Sequence, residues 1–68
     1  MKKFYGVVFG NWHGIGWDGL YDVFSNESDA ENDCERRNDD CDPDEYFEVW
    51  EMTEEDVEKY WGDYPINE

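Results

Sequence analysis

Positive charge is scarce in this chain: five Lys and Arg stand against twenty Asp and Glu, a formal net charge of −15 at pH 7. Binding to DNA, RNA or anionic lipid relies on Lys and Arg, so neither nucleic acid nor a membrane surface is expected as a direct ligand. Long apolar runs are missing as well. No stretch approaches the roughly 18 apolar residues that span a bilayer. The apolar residues after Lys2 and Lys3 are interrupted by Gly6 and Gly10 before a signal-type segment develops. The expected compartment is the cytoplasm, the host cytoplasm if the gene is viral. There Cys34 and Cys41 are expected as free thiols, Cys34 packing as a small hydrophobe. A disulfide between them would close only a short loop.

The chain has 68 residues, which is room for one domain. A domain of this size buries only about 60% of the surface its unfolded form exposes, so its stability is marginal. Leucine and isoleucine are few. Aromatics take their place, with four Trp, five Tyr and four Phe. Each of these buries about 150–250 Å² when enclosed, so a few of them are expected to supply most of the core, the four Trp being too many to bury together. High charge with low hydropathy is also a signature of disorder, but patterned segments argue against it here.

Residues 3–9 alternate as a strand, Tyr5, Val7 and Phe9 on one face and Phe4 and Val8 on the other. Gly10 to Gly19 reads as a glycine-rich connection carrying Trp12, His13, Ile15 and Trp17, and residues 19–24 as a second strand. Ser25 or Asn26 offers an N-cap. The helix that follows, to about Asn38, has only Ala30 and Cys34 as an apolar stripe, extended by the stem of Arg37. Asp39 to Asp44 is a loop around Pro43, and residues 45–52 form a third strand. Thr53 and Asp56 make a capping box for a second helix. Val57, Tyr60 and Trp61 share one face of it, and Gly62 ends it. The expected architecture is α+β in the order ββαβα. It is a three-stranded, mainly antiparallel sheet with both helices on one face, a single domain over residues 1–62 and a short frayed tail over 63–68.

The acids are not spread evenly. Glu27, Glu31 and Glu35 recur at i, i+4 along the first helix, with Asp29 and Asp33 beside them. These five carboxylates span about 12 Å of helix axis, one per roughly 3 Å. Duplex DNA carries one charge per about 1.7 Å, so the densities are of the same order, and Asp39, Asp40, Asp42 and Asp44 continue the run. Like charges at i, i+4 cost an isolated helix about 0.2–0.5 kcal/mol per pair. That cost points to a use for the charge beyond a solvated face. Trp12 and Trp17 are candidate aromatic anchors in an interface, or caps on one end of the sheet.

Other patterns are excluded by their context. Asp40, Asp42 and Asp44 begin a string spaced like a calcium loop, but Glu45 stands where the turn glycine is needed. They are candidates for loose, millimolar divalent binding only, and no specific metal site or cofactor is expected. Gly14-x-Gly16-x-x-Gly19 matches a dinucleotide fingerprint as a string, but a strand follows it instead of a helix. His13 has no partner set at zinc or triad spacing, and so small a domain has little room for an enclosing pocket. An enzyme is not expected.

In size, charge and layout the chain resembles the small acidic phage-encoded proteins that imitate DNA. Among these are anti-CRISPR proteins that occupy the DNA- or PAM-binding surface of a Cascade-type effector. The strand ending Val23-Phe24-Ser25 before an acidic helix also resembles small bacterial and phage domains. Neither likeness carries a diagnostic motif, so no residue role passes over from it. What the first implies is a stoichiometric inhibitor, a monomer that blocks a basic nucleic-acid-binding protein or complex. The alternatives are a divalent-cation-binding acidic domain and an acidic adapter or antitoxin-like protein with a basic partner.

Self-repulsion at −15 destabilises the compact state and is screened by salt. The melting temperature is therefore expected to rise between about 20 and about 300 mM NaCl, the range over which the screening length shrinks most usefully. A flat or falling series measured by circular dichroism would show that repulsion does not limit the fold.

Overall fold

The computed structural model describes residues 2–67. Its elements run β1 (Lys3–Asn11), β2 (Gly14–Phe24), α1 (Glu27–Asp40), β3 (Glu45–Thr53) and α2 (Glu54–Tyr60). The strands form one sheet in the order β2-β1-β3, with β1 antiparallel to both neighbours. The architecture is thus α+β, in the expected order ββαβα.

The glycine-rich connection is much shorter than expected. Gly10 pairs with Ile15 and Asn11 with Gly14, so only Trp12 and His13 remain as the turn. Asn11 Oδ1 accepts the His13 N–H at 2.9 Å, a side-chain turn of the kind Asn favours. Gly14 takes the positive φ, 129°, that returns the chain to the ladder. Gly10 and Gly19 serve close packing. A Cβ on Gly19 would overlap the carbonyl oxygen of Phe9, and one on Gly10 would sit 2.8 Å from the Tyr46 ring. The β1–β2 register slips between Val7 and Gly10.

Side chains alternate across a pleated strand, and β1 is apolar on both sides. Val7 and Val8 are both fully buried. On one face Val7 packs with Ala30 and Cys34 of α1, flanked by Tyr5, Phe24, Phe47 and Val49. On the other, Val23 and Met52 pack with Val57 of α2, flanked by Phe4, Trp17, Leu20, Trp61 and Ile66. The two helices therefore cover opposite faces of the sheet, where the sequence reading put them on one. The cause is the missing loop before α2. Thr53 ends β3 and caps α2 at once, its Oγ1 accepting the Asp56 N–H while Asp56 Oδ2 accepts the Thr53 N–H. A helix that starts beside Met52 brings Val57 back onto the Met52 face.

The fully enclosed residues are small: Val7, Val8, Val23, Ala30 and Met52. The aromatics, a few of them expected in the core, instead ring it, most of them half-buried and Trp12, Tyr21, Tyr46, Tyr60 and Tyr64 exposed. Residues 63–67 do not fray as expected. Ile66 packs on the second cluster, and Asn67 exchanges backbone hydrogen bonds with Val23 and Ser25 at 2.9 and 3.0 Å. Glu68 and Met1 lie outside the described residues.

Because the obstacle at Gly19 is backbone and that at Gly6 is the flexible ends of Leu20 and Met52, the two alanine variants should differ. Gly19→Ala is expected to lose about 1–3 kcal/mol in urea denaturation, and Gly6→Ala less. Equal losses would mean that β1 and β2 separate readily beside Phe9.

Candidate protein-binding surface

α1 begins at Asn26, whose Oδ1 accepts the N–H groups of Ser28 and Asp29 at 2.8 and 3.4 Å. Glu27 and Asp29 sit in the first turn, where the positive end of the helix favours them. Ala30 and Cys34 alone are buried, so the helix rests on the sheet by a narrow seam. It runs through Asp39 and Asp40, two residues beyond the expected end, and lengthens the acidic row.

Arg37 turns toward β2 and is half-buried. Its Nε donates to Asp33 Oδ2 at 2.7 Å, its Nη2 lies 3.8 Å from Asp22, and its guanidinium stands 5.7 and 5.8 Å from the ring centres of Tyr21 and Phe47. Phe9 completes the aromatic group, 5.7 Å from Tyr21 and 5.4 Å from Phe47. Beside it lies an open recess of about 400 Å³ with Asp40, Cys41 and Glu45 at its rim. Asp33 is consequently half-buried and neutralised. It falls out of the set of carboxylates that can face a partner.

The remaining acids, Glu27, Asp29, Glu31, Glu35, Asp39, Asp40, Asp42 and Asp44, are all exposed. Glu27, Glu31, Glu35 and Asp39 form one i, i+4 row rising about 18 Å along the axis. Arg36 is the one exposed cation of α1. Asp42 and Asp44 lie in the turn before β3. No group of three or more His, Cys, Asp or Glu among the described residues is arranged to hold a metal ion, so Asp40, Asp42 and Asp44 do not converge.

The two candidate anchors separate. Trp12 is 76% exposed at the hairpin turn, its ring over His13. Since Asn11 pairs with Glu45, this turn shares an end of the sheet with the Asp42–Asp44 turn. Trp17 lies on the α2 face, stacked on Tyr60 at 4.7 Å and edge-on to Trp50 at 4.8 Å. It packs against the second cluster, away from α1, and does not belong to the acidic surface.

Asn38 was not visible as a functional residue in the sequence. Its amide bonds the backbone of Phe47, nine positions away across a turn, and no local pattern announces such a contact. Cys34 donates its thiol to the same Phe47 carbonyl at 3.2 Å. Burial pushes the Cys34 thiol above its ordinary range, and the nearby Asp33 and Glu48 carboxylates push in the same direction. Lys3 is also raised, by its hydrogen bond and ion pair with Glu51 at 3.0 Å.

No helix among the described residues is long and apolar enough to cross a membrane. Comparison with known proteins finds no matching family model, no similar curated protein and no similar solved structure.

An upward shift leaves less thiolate at a given pH, and the thiolate is the nucleophile. At about pH 8, iodoacetamide is expected to modify the half-buried Cys41 well before the buried Cys34. Equal rates by mass spectrometry would mean that the seam between α1 and the sheet opens faster than the reagent reacts.

Proposed function

We propose that this domain is a stoichiometric, non-catalytic inhibitor. It lays the outer side of α1 on the basic surface of a nucleic-acid-binding protein, a CRISPR effector being one such target, and takes the place of DNA. One observation carries the reading. The helix turns Arg37 inward against Asp33, Asp22 and two rings, and shows solvent a carboxylate row at Glu27, Glu31, Glu35 and Asp39. A helix stabilised by its surface alone would place cations among those acids. Here one of the two arginines is spent internally and Arg36 is left as the one exposed cation of the helix, so the outer face keeps a net negative charge.

Rigid spacing supports the same reading. The seam at Ala30 and Cys34 holds the helix along its length, so the carboxylates keep a fixed pitch as phosphates do. The adjoining Asp42–Asp44 turn and exposed Trp12 lie at one end of this surface, a charged stretch with an aromatic at its border. Charges of this kind mainly accelerate association and select the partner class, while aromatic contacts slow dissociation.

The Glu27→Gln, Glu31→Gln, Glu35→Gln triple variant keeps the shape of the row and removes three charges. With a basic partner captured at low salt, it is expected to associate more slowly and with a shallower salt dependence than the wild type. Its fold should persist or gain stability as like-charge pairs disappear. Wild-type protein should compete with duplex DNA for that partner, and the variant poorly. Unchanged association rates, or simultaneous binding of DNA and this protein, would reduce the acidic row to a solvated face.

A further inference from the structure

β3 is an edge strand, and its outward backbone groups are only partly used. Asn38 closes one rung of the edge: its Oδ1 accepts the Phe47 N–H at 2.7 Å and its Nδ2 donates to the Phe47 carbonyl at 3.2 Å. A side-chain amide thus occupies the place of a peptide unit from a fourth strand. On either side, the Glu45 carbonyl accepts the Cys41 thiol at 3.2 Å, and the Thr53 N–H is held by Asp56 at 3.1 Å. Outward groups recur at every second residue of an antiparallel strand. The rungs between these closures are therefore those of Val49 and Glu51, and their N–H and C=O groups meet no partner among the described residues.

The charge around this gap is mostly negative. Asn38 marks the flank of α1 that overhangs the β3 edge, while Asp33 and Arg37 mark the flank toward β2. Glu31 lies two helical turns before Asn38 and Glu27 three turns before it, on the same flank. Glu48 and Glu51 of β3 are exposed, and Lys3, paired with Glu51, is the cation beside them. Open edges are normally blunted by lysine, proline or a covering element. This one is bordered by acids.

We propose that the Val49–Glu51 edge takes up an extended, Lys- or Arg-bearing segment of a partner protein as an added strand. The backbone of that segment pairs with Val49 and Glu51, and its cations on the α1 face meet Glu27 and Glu31. Strand addition of this kind draws affinity from main-chain bonds and selectivity from alternate side chains. The inference rests on the basic-partner reading and adds the binding mode. A second copy of the chain is the wrong occupant, since it brings a further −15 to an edge already lined with carboxylates.

The probe is a blocked peptide of alternating Lys and Val, compared with the same peptide N-methylated at every second residue to remove its backbone donors. At low salt, binding of the first is expected to slow hydrogen exchange at the Val49 and Glu51 amides and shift their NMR signals. The methylated peptide should bind about tenfold more weakly, the loss of a pair of hydrogen bonds of ordinary strength. Glu51→Pro, which removes one outward donor at an exposed edge position, should weaken the first peptide by a similar factor. Equal binding of both peptides, with shifts confined to the α1 carboxylates, would overturn strand addition and leave the charge reading intact. Failure of both peptides to bind would overturn both. Protection of the two amides without peptide, rising with protein concentration, would show a second copy on the edge and overturn the proposal.

Discussion

β1 carries the fold because it is the only strand with neighbours on both sides and apolar side chains on both faces. Val7 and Val8 are adjacent in the chain and buried in opposite directions, so neither helix can be dispensed with. Each face gathers a core cluster of only three buried residues, with Val8 buried besides, too few to enclose the large aromatics at the centre. The rings are pushed to the margins, where they close the gaps between sheet and helix and keep one edge in water. That arrangement suits Tyr and Trp, which bring an apolar body and a polar tip.

The charge distribution follows from the same economy. A narrow seam of Ala30 and Cys34 leaves most of α1 in solvent, and the charged positions there are acidic except Arg36. Arg37 neutralises Asp33 and approaches Asp22 on the inner side, so the sheet-facing flank is close to balanced while the outer one is not. The domain is thus polarised across a single helix. A basic surface approaching from outside meets carboxylates that no internal cation offsets, and the acid-bordered edge of β3 extends the same field onto the sheet.

The amino-acid pattern made the strands and helices legible because each carries a local signal: alternation in β1 and β3, the Thr53–Asp56 capping box, the glycine after α2. The row of Glu27, Glu31 and Glu35 was equally plain, since a helical period needs nothing from the rest of the chain. What stayed hidden depended on pairing. Gly10 to Gly19 looked like a loop because its glycines fit close contacts with Phe9, Ile15 and Tyr46, partners that only the register reveals. Trp17 looked like a loop residue for the same reason. The opposite placement of the helices turned on the absence of a loop at Thr53, and the withdrawal of Asp33 turned on Arg37 reaching Asp22 and Tyr21.

Asn38 limits what this surface can become over evolutionary time. The carboxamide is at once donor and acceptor to Phe47. Aspartate in its place would accept but not donate, and would set a charge against the Phe47 carbonyl. Glutamine is longer by one methylene, and an apolar residue would leave the Phe47 N–H bare and its carbonyl with the Cys34 thiol alone. Most of the outer face can drift among Asp and Glu with little effect on packing, so its sequence is free to vary while its charge persists. Residue 38 is the exception: an amide at the inner boundary of an acidic field, where the sheet edge beneath it uses both halves of its side chain.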